Sequence, residues 1–382
     1  MESDSRPRVF ASLLFLALLI GHATADPKPE ELSQPTAAPS LRVKYQDQFV
    51  IGVALGGDVP GDYDAREQKL ILGQFGGITP ENCMKLSHVQ RQEGQFDFAQ
   101  ADAVVAFAEA NHLAVAGHCL VWARDDSTPG WFFRDGDHPA SREVILQRMK
   151  THIQTLVGRY RGRVKSWDVV NEALGEGKEF LRPSLWEKQI GPDFIAKAFE
   201  YAHEADPDAV LIYNDYMIEQ PAKRAKLIQL LKNLKEQGVP IGAVGNQGHW
   251  EIDYVPLADI ETMVNAVNEM GVKVVISELD LGVVPRRRWW ADGGIHQAEL
   301  TKSDLYEKGC PADILRRQAD QYGKLFTLFR KLHAGIIRVT FWNLHDGRSW
   351  LNHFPWNHTE YPLLFDRDKN PKPAFDAVMA AE

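Results

Sequence analysis

Two glutamates each close a run of β-branched residues. Glu172 ends WDVVNE, a run that also holds Trp167 and Asn171. Glu278 ends VVISE, and Asp280 follows two positions later. A Val/Ile-rich strand running into a carboxylate is poor material for a core. Two such strands in one chain suggest a pair of carboxylates meeting across one cleft. Glycosidic bond cleavage needs that arrangement: one acid protonates the leaving oxygen while one carboxylate attacks the sugar carbon.

Short apolar runs alternate with amphipathic stretches along the chain. Strands are predicted at Phe49–Leu55, Gly76–Thr79, Ala114–Trp122, Val164–Asn171, Ala209–Asn214, Ala243–Gly248, Lys273–Glu278 and Ile336–Trp342. Most are apolar on consecutive positions, which means burial on both faces and therefore parallel pairing. Helices are predicted between them at Ala99–Asn111, Ser141–Tyr160, Pro192–Ala205, Pro221–Glu236, Asp259–Met270 and Ala312–Leu332, with Ser141 as an N-cap and Gly238 beyond a C-terminus. Strands and helices alternating over this length predict a single α/β domain, a (β/α)8 TIM barrel. The competitor is a doubly wound sheet. It would carry a glycine-rich turn opening a phosphate-binding helix after the first strand, whereas Gly56 and Gly57 run into Asp-Val-Pro.

Polar residues gather at the C-terminal ends of seven predicted strands, where barrel enzymes keep their chemistry. They are Glu81, Asn82 and Lys85 after the second; His118 and Trp122 on the third; and Asn171 and Glu172 on the fourth. Asn214, Asp215 and Tyr216 follow on the fifth, Gln247 and His249 on the sixth, Glu278 and Asp280 on the seventh, and Trp342 on the eighth.

The N-terminus reads as a secretory signal over residues 1–25. Arg6 and Arg8 precede the apolar stretch Val9–Ile20, and Ala23-Thr24-Ala25 forms a cleavage site. A Pro-, Ala-, Glu- and Ser-rich spacer fills 26–40, leaving 41–382 for the barrel. The expected product is secreted, extracellular or periplasmic, with no membrane attachment after signal removal. The chain is 44% hydrophobic and 25% charged, with a net charge of −9. Its longest basic stretch, Arg286-Arg287-Arg288, is too short to favour nucleic acid. Three cysteines, Cys83, Cys119 and Cys310, make neither a disulfide scaffold nor a zinc site. Cys83 and Cys119 could pair or remain buried thiols. No metal or other cofactor is expected, and the chain is expected to be a monomer.

With these residues in view, the chain resembles the glycoside hydrolase family 10 xylanases. The resemblance rests on ITPENCMK, FDFAQAD, GHCLVW, WDVVNEA, YNDY, NQGHW, ISELD, FWNLHDGRSWL and PLLFDRDKNPKPAF, in the family's order. It implies a barrel that cleaves xylan or xylo-oligosaccharides with retention. By the same resemblance Glu172 is the general acid/base and Glu278 the nucleophile. His249 is the nucleophile's hydrogen-bond partner, oriented by Asp280, and Asn171 contacts the sugar 2-hydroxyl. Glu81, Asn82, Lys85, His118, Trp122, Gln247, Trp342 and Trp350 would line the glycone subsites, with Tyr216 among the substrate contacts. The chain departs from the family pattern at Ala123, Arg124 and Asp125, at Met217 where Asn is common, and at Asn343 where Gly is usual. The Arg124-Asp125 pair would either admit an acidic or decorated side chain or close into a salt bridge. The long loop Val283–Pro311, with Trp289 and Trp290 beside three arginines, suggests an aglycone-side lid or platform. Three classes stay open: a retaining endo-1,4-β-xylanase; a relative preferring xylo-oligosaccharides, aryl glycosides or β-glucan; and a non-catalytic carbohydrate-binding barrel. Intact Glu172, Glu278 and His249 argue against the third. The retaining mechanism predicts carboxyl groups about 5–5.5 Å apart.

Overall fold

A computed structural model describes residues 40–285 and 304–382. The signal, the spacer up to Pro39, and Trp289 and Trp290 lie outside the described residues. Eight parallel strands form the sheet: β1 (Val50–Leu55), β2 (Gly77–Pro80), β3 (Ala114–Trp122), β4 (Val164–Asn171), β5 (Val210–Asp215), β6 (Ala243–Asn246), β7 (Lys273–Gly282) and β8 (Ile336–Phe341). Each pairs with the next. β8 closes on β1 with Val50 opposite Arg338 and Val53 opposite Phe341. The sheet is therefore a closed barrel and the doubly wound alternative is excluded. β1 is buried at every residue but the first, and so is β7, as parallel strands covered on both faces must be.

A helix follows each strand: α1 (Ala65–Gln74), α2 (Ala99–Ala110), α3 (Arg142–Arg159), α4 (Phe194–Ala205), α5 (Pro221–Glu236), α6 (Leu257–Glu269), α7 (Ala312–Lys331) and α8 (Pro373–Ala380). Ser141 caps α3 by accepting from the Val144 amide, and Gly238 leaves α5 in the left-handed region at φ 70°. The sequence reading missed α1 and α8. α1 has its apolar residues bunched as Leu70-Ile71-Leu72 rather than spaced around one stripe. A reciprocal cap starts it instead: Asp64 accepts from the Glu67 amide while Glu67 accepts from the Asp64 amide.

Two local features aim the site. Gly117 precedes His118 on β3 and lies opposite Trp167 on β4. A Cβ at 117 would sit 2.1 Å from the Trp167 ring, so only glycine lets the two strands close over that fully buried indole. The second feature is a correction to the sixth strand. It stops at Asn246 because Gly248 turns the chain at φ 80°. The chain then re-forms a short strand, His249–Glu251, paired with the end of β7, which sets His249 opposite Asp280.

Candidate active site

Glu278 sits on β7 with its carboxylate held on both oxygens. Oε1 accepts from Asn214 Nδ2 at 2.7 Å, and Oε2 lies 3.1 Å from His249 Nε2. The other ring nitrogen of His249 is 2.9 Å from Asp280 Oδ2, and the Trp350 indole donates to that same oxygen at 2.8 Å. Burial favours a neutral His249, but Asp280 and Glu278 outweigh it and push the imidazole up to about 10. With both nitrogens protonated it donates to both carboxylates. Burial alone would raise Glu278. The His249 bond, the nearby His118 and the Asn214 amide hold it below the usual carboxylate range instead. Glu278 is thus built to remain ionised.

Glu172 begins where β4 ends and occupies the left-handed region at φ 58°. A glutamate there is strained, and its amide is held by Asn214 O at 2.9 Å. Gln247 Nε2 donates to Glu172 Oε1 at 3.1 Å, and Asn171 Nδ2 reaches it at 3.4 Å. Ser277 Oγ donates to Asn214 Oδ1 at 2.6 Å, which fixes the Asn214 amide with its nitrogen toward both Glu278 and Asn171 Oδ1, the latter at 2.9 Å. The Asn171 oxygen therefore faces inward. Together Gln247, Asn171 and Asn214 form an amide bridge between the two carboxylates, one from each side of the barrel mouth.

These groups open into a cleft of about 350 Å³. Its wall contains Glu81, Lys85, His118, Trp122, Asn171, Glu172, Tyr216, Gln247, His249, Glu278, Trp342 and Trp350, all anticipated from the sequence. Asn82 stands behind the wall and accepts from Lys85 Nζ at 3.0 Å; Asp280 stands behind His249. Lys85 lies over the Trp122 ring at 4.7 Å, and His118 meets Trp342 edge-on at 5.3 Å. Aromatic faces beside such donors suit a sugar ring, which offers C–H groups to the ring and hydroxyls to the donors.

Several residues escaped the sequence reading. Asn214 stands among the strand-end polar residues, yet its grip on Glu278 was not anticipated. Asp168 is a buried carboxylate in the middle of β4, paired with His118 Nδ1 at 2.8 Å. A charged residue inside an apolar strand is itself a signal, since burial demands a partner. Arg124, Asp126, Ser127 and Phe354 complete the wall. Arg124 does not pair with Asp125. Its guanidinium meets Asp126 at 3.2 Å, while Asp125 Oδ1 accepts at 2.7 Å from the amide of Leu185, the first residue of the helix Leu185–Ile190 that Ser184 caps. Met217 and Asn343 both occupy left-handed backbone, at φ 57° and 91°, so those two departures from the family pattern are first of all matters of chain geometry. Cys83 and Cys119 are free and buried, so the disulfide alternative falls; burial pushes the Cys83 thiol up to about 12.

Comparison with known proteins gives one picture. The profile of glycosyl hydrolase family 10 matches residues 40–381. An endo-1,4-beta-xylanase of Geobacillus stearothermophilus is 40% identical over 347 residues, covering 90% of this chain and 99% of that protein. The crystal structure of xylanase XynB from Paenibacillus barcinonensis, complexed with a conduramine derivative, superposes with a TM-score of 0.82 at 36% identity over 91% of this chain and all of that one. A mutant structure in complex with xylotriose gives a TM-score of 0.82 at 34% identity, over 90% and 100% of the two chains. Barrel, strand-end carboxylates and nearly full-length similarity agree: this chain belongs to glycosyl hydrolase family 10.

Proposed function

We propose that the protein is a secreted, retaining endo-1,4-β-xylanase. The observation that carries this reading is the unequal treatment of two glutamates facing one sugar-sized cleft. Glu278 is charge-stabilised by the His249–Asp280 pair, while Glu172 is met chiefly by amides. In the first step a Glu278 oxygen attacks the anomeric carbon. The bond to the leaving sugar's oxygen breaks, and Glu172 gives that oxygen its proton. In the second step Glu172 takes a proton from water, the water oxygen attacks the same carbon, and the bond to Glu278 breaks. Two inversions restore the starting configuration. The Asn171 amide, its oxygen turned to Asn214, directs its nitrogen at the sugar 2-hydroxyl, where a hydrogen bond strengthens as positive charge develops. Glu81, Lys85, His118, Trp122 and Trp342 hold the glycone sugars.

The test takes the exported protein, whose mass will show cleavage after Ala25, and follows xylan hydrolysis by proton NMR. Mixed xylo-oligosaccharides appearing first as the β-anomer are expected. An α-anomer formed first would mean inversion, and xylose alone would mean attack from a chain end.

The same geometry predicts the acid side of the pH profile. Ionised Glu278 is required, and His249 keeps it ionised below the usual carboxylate range. Replacing His249 with Gln removes that cation and leaves burial dominant, which raises Glu278. The acid limb of kcat/KM should therefore move to higher pH, with activity lost first in acid and best kept near neutrality. An acid limb that stays put would remove His249 from this role.

A further inference from the structure

Asn343 follows Trp342 at the end of β8. It is buried, and its φ of 91° is backbone that favours glycine. A side chain held there costs stability, and such strain persists where surrounding contacts over-determine it. Both ends of the Asn343 amide are used. Nδ2 donates to Glu81 Oε2 at 3.0 Å, and Oδ1 accepts from the Trp350 amide at 2.9 Å. Both partners line the cleft, whereas Asn343 does not.

What lies behind Glu81 gives these bonds their meaning. A second cavity of about 280 Å³ adjoins the cleft, and Glu81 and Asn343 are both in its wall, with Gly56, Tyr63 and Arg348. Glu81 Oε2 packs so closely on Gly56 that a Cβ there would lie 2.5 Å from it. The Glu81 carboxylate thus stands between the sugar cleft and a polar space large enough to accept it, whose Arg348 is itself paired with Glu67 at 2.6 Å. Asn343, in the wall of the second cavity, is the tether that fixes Oε2 at this boundary and gives the carboxylate one orientation toward the cleft. The other end of the tether holds the backbone of Trp350, whose indole donates to Asp280 at 2.8 Å. One side chain therefore sets a glycone contact and a wall of the nucleophile's support together.

We propose that Asn343 is a positioning residue for glycone binding: strained backbone at 343 is retained because its amide fastens Glu81 and Trp350 against the substrate. The proposal rests on Glu81 serving a glycone subsite, as in the function proposed above. Its test compares Asn343→Gly and Asn343→Asp with the parent enzyme, in steady-state kinetics on xylo-oligosaccharides and in thermal unfolding. Glycine relieves the backbone and removes both bonds. Asn343→Gly should hold or raise Tm while raising KM about tenfold, the loss of roughly one hydrogen bond to a charged group, with kcat within about twofold. Asn343→Asp keeps the acceptor for Trp350 but sets a second carboxylate against Glu81, so its KM should rise at least as far. An unchanged KM in Asn343→Gly overturns the proposal. So does a KM rise accompanied by a fall in Tm, which would mean a merely structural role. A parent enzyme inactive on xylo-oligosaccharides would instead sink the proposed function, so the two failures are distinct.

Discussion

Replacing Glu278 with Ala should lower xylan hydrolysis by on the order of 10⁴-fold or more, because the first bond-forming step loses its nucleophile. The fold should survive, since the change trims one side chain at the mouth of a closed barrel. Loss of activity alone would not identify the role, because any residue of the cleft could cause it. A small anion separates the cases. Azide can enter the space vacated by the carboxylate and attack the same carbon from the same face. With an activated aryl β-xyloside, Glu278→Ala plus azide should regain turnover and yield the α-xylosyl azide, an inverted product. If azide leaves the variant inactive, or if the product is the β-azide, Glu278 is not the nucleophile. His249 and Asn214 would remain to hydrogen-bond the incoming anion, which makes rescue at this position physically reasonable.

Glu172→Ala should separate substrates by their leaving groups. Ordinary xylosidic bonds need their departing oxygen protonated, and removing a general acid costs about 10²–10⁴-fold. A phenol that leaves readily as its anion needs no such proton. With that substrate the first step should stay fast, but the second step lacks its base. The glycosyl-enzyme should then accumulate, seen as a burst of phenol followed by slow turnover and as a covalent mass increase on Glu278. Azide should accelerate the slow phase and give the β-azide, the opposite outcome from the Glu278 variant. Equal losses on good and poor leaving groups would exclude Glu172 as the acid.

Much of this is legible in the sequence. Consecutive Val and Ile residues ending in Asn171-Glu172 and in Glu278 declare parallel strands with chemistry at their C-terminal ends, because apolar burial and strand direction are both local properties of sequence. Helices with a clear start signal and one apolar face were equally readable, as with the Ser141 cap of α3 and the first-turn proline Pro221 of α5. The elements that escaped were those whose order comes from elsewhere in the chain. α1 depends on the reciprocal Asp64–Glu67 cap and on burial of Ile71 rather than on a stripe. The split of the sixth strand at Gly248 depends on β7 being long enough to offer a second pairing edge.

The sequence alone determined the barrel and the strand ends on which the polar groups stand, Glu172 and Glu278 among them. These follow from residue type and period along one stretch of chain. Only the tertiary structure decided which partners those carboxylates have. Asn214 lies 64 positions from Glu278, Asp168 lies 50 from His118, and Asn343 lies 262 from Glu81. The charge on His249, the amide bridge and the tether on Glu81 all arise where separate strands converge at one end of a closed barrel. A hydrogen bond depends on positions to within a fraction of an ångström, and no spacing within a single strand specifies those.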